Sequence, residues 1–188
     1  MYRSHFKRLS DIILAGTALL VMSPLLVLVL VAIRLQDGDP ALFRQQRVGE
    51  NGRSFEILKF RSMTVNTENV PSADAVSLKI TPIGKFIRRT NIDELPQLIN
   101  ILRGEMSIVG PRPALPSQTQ LCTMRDENGA KACKPGLTGL AQINSYNGMP
   151  ESEKAEWDGK YAANISFLQD LLIILKTFGY LTKRPPVY

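Results

Sequence analysis

The chain has little of several residues on which common chemistry depends. It holds one histidine, His5, and two cysteines, Cys122 and Cys133, among 188 residues. A lone histidine beside the N-terminus, and cysteines without ligand neighbours at metal spacing, leave zinc chemistry and Ser-His-Asp catalysis poorly supplied. Two unpartnered cysteines eleven positions apart read as free thiols of a cytoplasmic domain, which excludes a disulfide scaffold. Aromatic residues are only 7% of the chain and do not interleave with basic ones, so a nucleic-acid-binding face is not expected. No internal repeat or low-complexity tract is visible, and the length suits one domain with a modest core.

Positive charge and one apolar run are present in excess. Lys and Arg number 23 against 17 Asp and Glu, a net of +6; such a balance suits phospholipid headgroups or a phosphorylated substrate. Ile12 to Ile33 is a 22-residue run without charge. As an unbroken helix it would measure about 33 Å, enough to cross a bilayer. No small-residue cleavage site follows it before Arg34, so it is not read as a signal peptide. Ser23-Pro24 lies at its midpoint, where proline removes a helix hydrogen bond. Both flanks are basic, with Arg3, Lys7 and Arg8 before and Arg34, Arg44, Arg47 and Arg53 after. The positive-inside tendency would then keep both ends in the cytoplasm. From these residues alone a spanning helix and a re-entrant one both stay open. The re-entrant form would need help at the break, such as the Ser23 hydroxyl bonding a freed backbone group.

Beyond the run, "ALFRQQRV" and "SFEILKFRSM" read as two strands joined through Asn51-Gly52, a strong hairpin signal. By the two-residue period Phe55, Ile57, Lys59 and Arg61 share one face, and its two cations suit an anion or a solvated strand end. Residues 64–80 read as a surface loop. "TPIGKFIRRT" predicts a short helix ending in Lys85, Arg88 and Arg89. In "RRTNIDELPQLINILRG" a helix is expected from about Asn91 to Asp93, with Pro96 in its first turn and Gly104 as its C-cap. Leu95, Leu98, Ile99 and Leu102 would form its buried face. Asp93 and Glu94 there are either ordinary first-turn acids or, with Arg88 nearby, an anion and metal site. "GPRP" sets Arg112 between Pro111 and Pro113, a stiff stalk for a phosphate-binding guanidinium. "KPGLTGLAQIN" opens on a Pro-Gly turn, and its glycines would allow close approach to a ligand. In the tail, Phe167, Leu168, Leu171, Leu172, Leu175 and Phe178 form one stripe with Lys176, Lys183 and Arg184 on the polar side. Such a helix suits a membrane interface or core packing.

Together these stretches resemble the bacterial sugar transferases, the small monotopic phosphoglycosyl transferases of the PglC type. The likeness runs over nearly the whole chain. Its most specific part is "RRTNIDELPQLINILRGEMSIVGPRP", where order, spacing and residue type agree; "FKRLSDII", "FRQQRVGENGRSFEILKFRSM", "KPGLTGLAQIN" and "NISFLQDL" extend it. The resemblance implies an α/β fold in a small monotopic membrane protein, with an N-terminal re-entrant helix broken at Ser23-Pro24, a short β-hairpin and amphipathic interfacial helices. It implies residues 1–36 as the membrane helix with its basic flank, and 37–188 as one integrated cytoplasmic catalytic domain at the bacterial inner membrane. The implied reaction moves a sugar-1-phosphate from a UDP-sugar to undecaprenyl phosphate and releases UMP. Asp93 would be the covalent nucleophile and Glu94 the ligand of Mg²⁺. Lys59, Arg61, Arg88, Arg112, Pro111, Pro113 and Gln142 become substrate-contact candidates, with Asp158 in support. The family often carries "GRN" where this chain reads Ser145-Tyr146-Asn147, and Tyr146 cannot supply an arginine's charge. The chain is expected to be the minimal form, with inner-membrane phospholipids and downstream glycosyltransferases as partners. Two rival readings remain: a non-enzymatic membrane-anchored scaffold for glycan-assembly enzymes, and direct transfer without a covalent enzyme.

Overall fold

A computed structural model describes residue 2 and residues 6–64, 80–146 and 148–181. The expected loop over 65–79 lies outside them, as do Arg3, His5, Asn147, Lys183 and Arg184. The fold is mixed α/β. Helix α1 runs Lys7–Asp37, followed by the hairpin strands β1 (Leu42–Val48) and β2 (Ser54–Phe60). Then come α2 (Pro82–Arg89), α3 (Gln97–Arg103), β3 (Ser107–Val109), α4 (Thr119–Glu127) and β4 (Gly136–Thr138). Helices α5 (Leu140–Ile143), α6 (Glu151–Ala163) and α7 (Phe167–Leu181) complete it.

Among the described residues α1 is the one helix long and apolar enough to cross a membrane, by length and composition. Helical structure continues through Pro24 instead of breaking there. Proline cannot donate to the carbonyl four residues back, which is that of Leu20. The Ser23 hydroxyl donates to it instead at 2.8 Å, so the lost bond is replaced one residue away. Both ends of α1 are fastened to the rest of the chain. At the start, Arg8 donates to the carbonyls of Ile101 and Leu102 at 2.5 and 2.8 Å. Asp11 accepts from the Ser107 hydroxyl and the Ile108 N–H at 3.0 and 2.9 Å. At the far end Arg61 donates to the carbonyls of Asp37 and Gly38 at 2.9 and 2.7 Å. Ala15 packs with Phe55, Ile57, Leu98 and Ile101, while Val29 and Ile33 pack with Phe60 and Ile87.

The hairpin pairs Leu42 with Phe60 through to Val48 with Ser54. Its turn places Asn51 and Gly52 at φ 55° and 79°, the left-handed region that Asn-Gly accepts readily. The outer edge of β2 is closed by a side chain. Asn100, fully buried, accepts from the Leu58 N–H at 3.0 Å and donates to the Glu56 carbonyl at 2.7 Å. That demand changes the expected face of α3: Gln97, Leu98, Asn100 and Ile101 are buried, and Ile99 and Leu102 only partly. Gly104 caps it at φ 86° as expected.

Strands β3 and β4 form a parallel pair, Ser107 with Gly136 and Val109 with Thr138. The sequence reading missed them, because three residues carry no usable periodicity. The glycines of "KPGLTG" serve this contact. A Cβ on Gly136 or Gly139 would collide with the backbone of Gly110, and one on Gly110 with the Lys134 carbonyl. Helix α7 buries Ile173 against Val109 and Tyr161. Its stripe of Phe167, Leu168, Leu171, Leu172, Leu175 and Phe178 is exposed along its length. Core packing therefore uses the opposite side of α7.

Candidate active site

Chain turns set the two acids in place. α2 begins under a Thr81 cap, whose hydroxyl accepts from the Gly84 N–H at 2.9 Å, and ends in Arg88 and Arg89. Asn91 at φ 55° then redirects the chain into a one-turn 3₁₀ helix, Ile92–Glu94. This corrects the expected helix start: α3 begins only at Gln97. Pro96 has no N–H to carry an i→i−4 ladder back to Ile92, so the acids precede α3 instead of sitting in its first turn. In a three-residue turn successive side chains diverge by about 120°, and Asp93 and Glu94 have different surroundings.

Glu94 Oε1 accepts from Lys59 Nζ at 2.8 Å and from Arg112 at 2.9 Å. Burial alone would raise its pKa, but Arg112 and Lys59 outweigh it and hold the carboxyl well below the usual range. Asp93 makes no hydrogen bond among the described residues. Burial first, then the charge of Glu94, pushes it from 3.8 to about 6 against the pull of Lys59, Arg88 and Arg112. Arg88 is aimed by Ser62, whose hydroxyl accepts from its Nε at 2.7 Å. Thus one carboxylate is locked as a firm anion and its neighbour is left electron-rich and unbonded. Pairs pushed apart in this way are candidates for different chemical roles.

The stalk carrying Arg112 is held at consecutive carbonyls. That of Pro111 accepts from the Gly136 N–H at 2.8 Å, that of Arg112 from Arg125 at 3.0 Å, and that of Pro113 from Arg47 at 3.1 Å. Pro111 and Pro113 are buried, so they shape the stalk. Arg47 is oriented by Gln45 at 2.6 Å. Burial, then the nearby charge of Arg112, lowers its pKa to about 10. Arg47 was not anticipated as a site residue, yet the signal was available. Phe43, Gln45 and Arg47 pair with Lys59, Ile57 and Phe55, so the face holding Lys59 continues across the hairpin to Arg47. Ser62 and Arg125 had no such signal.

Three candidates stand elsewhere. Arg61 is buried at the end of α1, bonded to Asp37 and Gly38, and not at the acids; the strand alternation aligned it with Lys59, but β2 ends at Phe60. Asp158 is buried in a pair with Arg125, 2.6 Å apart, behind the stalk. The Gln142 amide donates to the Leu137 carbonyl at 3.1 Å. Its Oε1 is buried without a partner. Tyr146 is exposed and donates to Glu153 at 2.6 Å. A cavity of about 400 Å³ lies between the hairpin turn, α4 and the stalk, lined by Pro111 and Arg125 but by neither acid. Neither cysteine forms a disulfide.

Among the described residues no group of three His, Cys, Asp or Glu could hold a metal. The donor set thus does not form an all-protein cage. It does fit Mg²⁺ in the manner usual for phosphate substrates, one or two carboxylates completed by phosphate oxygens and water. Glu94 could supply the ionised hard-oxygen donor for that arrangement.

The model of the bacterial sugar transferase family matches residues 2–184. The chain belongs to that family. The UDP-glucose:undecaprenyl-phosphate glucose-1-phosphate transferase of Klebsiella pneumoniae is 39% identical over 95% of this chain and 41% of its own length. The exopolysaccharide production protein ExoY of Sinorhizobium fredii is 37% identical over 91% of this chain and 83% of its own. The undecaprenyl-phosphate galactose phosphotransferase of Salmonella typhimurium is 36% identical over 97% and 41%. This sugar transferase chain therefore spans about two fifths of the Klebsiella and Salmonella proteins.

Proposed function

We propose that this chain transfers a sugar-1-phosphate from a UDP-sugar to undecaprenyl phosphate, releasing UMP through a phosphosugar intermediate on Asp93. The observation that carries the reading is the unequal carboxylate pair. Asp93 has no side-chain hydrogen bond among the described residues and is still ionised at neutral pH, so it needs no general base to act as a nucleophile. One Asp93 oxygen attacks the β-phosphorus, the bond to the bridging oxygen breaks, and UMP leaves with both electrons. An oxygen of the lipid phosphate then attacks the same phosphorus and frees the carboxylate. Repulsion between Asp93 and the pyrophosphate is the main obstacle, and Lys59, Arg88 and Arg112 lower it from fixed positions. Mg²⁺ held by Glu94 would add a further counter-charge on the phosphate oxygens.

The same reading assigns the chain to the cytoplasmic face of the bacterial inner membrane, at the first membrane step of glycoconjugate assembly. Both ends of α1 are bonded to one domain, which supports a re-entrant helix over a spanning one. The exposed stripe of α7 would rest among phospholipid headgroups, and downstream glycosyltransferases would take the product. Labelling of a cysteine at position 3 only from the periplasm would refute the topology. For the reaction, a panel of UDP-sugars is offered with and without undecaprenyl phosphate. One UDP-sugar should release about one equivalent of UMP per enzyme without lipid, as a single nucleophile requires. Intact-mass measurement should place one sugar-phosphate on the peptide containing Asp93. UMP formed only when lipid is present, with no adduct, would favour direct transfer; no UMP under any condition would favour the scaffold.

A further inference from the structure

We infer that Arg125, locked by Asp158, is a positioning residue that fixes Arg112 through its backbone; this rests on the reading of Arg112 as a donor-phosphate contact. Arg125 Nε and one terminal nitrogen donate to Asp158 Oδ2 at 2.9 and 2.6 Å. The other terminal nitrogen donates to the Arg112 carbonyl at 3.0 Å. Both residues are almost wholly buried, at 8% and 1% exposure. A buried ion pair is a weak reason for stability, because well-packed apolar residues hold helices together as well. What apolar residues cannot supply is the third bond. A planar guanidinium pinned at two nitrogens has its remaining donor aimed in a fixed direction, here at the carbonyl of Arg112, whose side chain reaches Glu94 alongside that of Lys59.

The stalk needs this grip. Pro111 and Pro113 have no N–H, so between them only the Arg112 N–H can donate, and the segment is held mainly through its carbonyls. The cavity lined by Pro111 and Arg125 gives a loosened stalk room to withdraw from Glu94. Lysine at 125 keeps the charge opposite Asp158, but its flexible ammonium lacks the planar fork that holds Asp158 Oδ2 and the Arg112 carbonyl in one fixed geometry.

The test uses the full chain in detergent or nanodiscs. UMP release is measured against UDP-sugar concentration for wild type, Arg125→Lys, Arg112→Ala and their combination. Hydrogen exchange is followed over residues 106–118. Arg125→Lys should raise KM about tenfold, the loss of one well-aimed charge-assisted bond, with little change in kcat. Exchange around the stalk should rise. In the Arg112→Ala background Arg125→Lys should add nothing to KM, because its effect passes through Arg112. The double variant Arg125→Met, Asp158→Leu leaves no lone buried charge and should fold, yet show the same rise in KM and exchange. Wild-type KM in that variant, equal effects of Arg125→Lys in both backgrounds, or unchanged exchange at the stalk would each overturn the proposal. Absence of UMP release by the wild type would defeat the donor reading itself, and the exchange measurement would still decide the grip.

Discussion

Two aspartates in this molecule, Asp170 and Asp93, have opposite surroundings. Asp170, at the start of α7, is 4% exposed and surrounded by donors. Its Oδ2 accepts from Tyr2 at 2.8 Å and Lys7 at 2.6 Å, and its Oδ1 accepts from Tyr161 at 2.8 Å. Asp93 is partly buried, and its side chain has no hydrogen bond among the described residues. The first carboxylate clasps the start of α1 to α7 and α6. The second keeps its lone pairs free while Lys59, Arg88 and Arg112 act on it only through space. Saturation suits an aspartate to a structural role, and withholding donors leaves it available for chemistry at a cost to stability.

Removing the reactive charge should break the contrast most sharply. Asp93→Asn should abolish UMP release and the sugar-phosphate adduct, since a neutral amide does not attack phosphorus. The same change should raise the melting temperature. Raising the carboxyl from 3.8 to about 6 costs the folded state on the order of 2–3 kcal/mol at pH 7, at ~1.4 kcal/mol per unit. A variant that keeps turnover, or that melts lower than wild type, would show that Asp93 is held for structure.

Next in size is Glu94→Gln. It should cut turnover by about 10²–10³-fold, the scale for losing a preorganised electrostatic group. Excess EDTA should do the same to the wild type. Full activity in either case would remove Glu94 from metal binding. The variant should also melt lower, because Lys59 and Arg112 lose their charged acceptor.

A pH series sharpens the comparison at intermediate size. As pH falls through about 6, Asp93 gains a proton, so the rate should drop roughly tenfold per unit below that point. The stability sign is opposite for this group. Its raised folded-state value favours folding below the unfolded value of 3.8, and that advantage is lost as pH rises through about 6. Melting curves of wild type minus Asp93→Asn should show that loss between pH 4 and 6, a window set by the two values. A flat difference would mean the carboxyl is not raised.

The structural aspartate should respond otherwise. Asp170→Asn should lower stability by about 1–3 kcal/mol, because Lys7 then faces a neutral acceptor. Its kcat and KM should stay near wild type below the melting range. A large fall in kcat with unchanged stability would erase the distinction between the two aspartates. The smallest effect belongs to Ser23→Ala, which orphans the Leu20 carbonyl beside Pro24 and should cost about 1 kcal/mol in thermal melts.

Much was legible because it depends on near neighbours in the chain. Alternation and Asn51-Gly52 gave the hairpin, the apolar spacing and terminal cations of "TPIGKFIRRT" gave α2, and the spacing of Phe167 to Phe178 gave the apolar stripe of α7. The Asp93-Glu94 pair and the Pro111–Pro113 stalk were visible for the same reason. The start of α3 was misplaced by a few residues because Pro96 ends one hydrogen-bond pattern before another begins.

What the sequence by itself determined is therefore the supply of parts: an apolar helix with basic flanks, two adjacent acids, and arginines on stiff or strand-borne positions. Tertiary structure decided which part meets which. It took Arg61 away from the acids to close the end of α1, and brought Arg47 across the hairpin. It set Arg125 and Asp158 behind the Arg112 carbonyl, and used Gly110, Gly136 and Gly139 to let two backbones touch. Periodicity reports the solvent facing each residue, which is a local property. A carboxylate's reactivity depends on how many donors come within about 3 Å, and those donors arrive from segments tens of residues away.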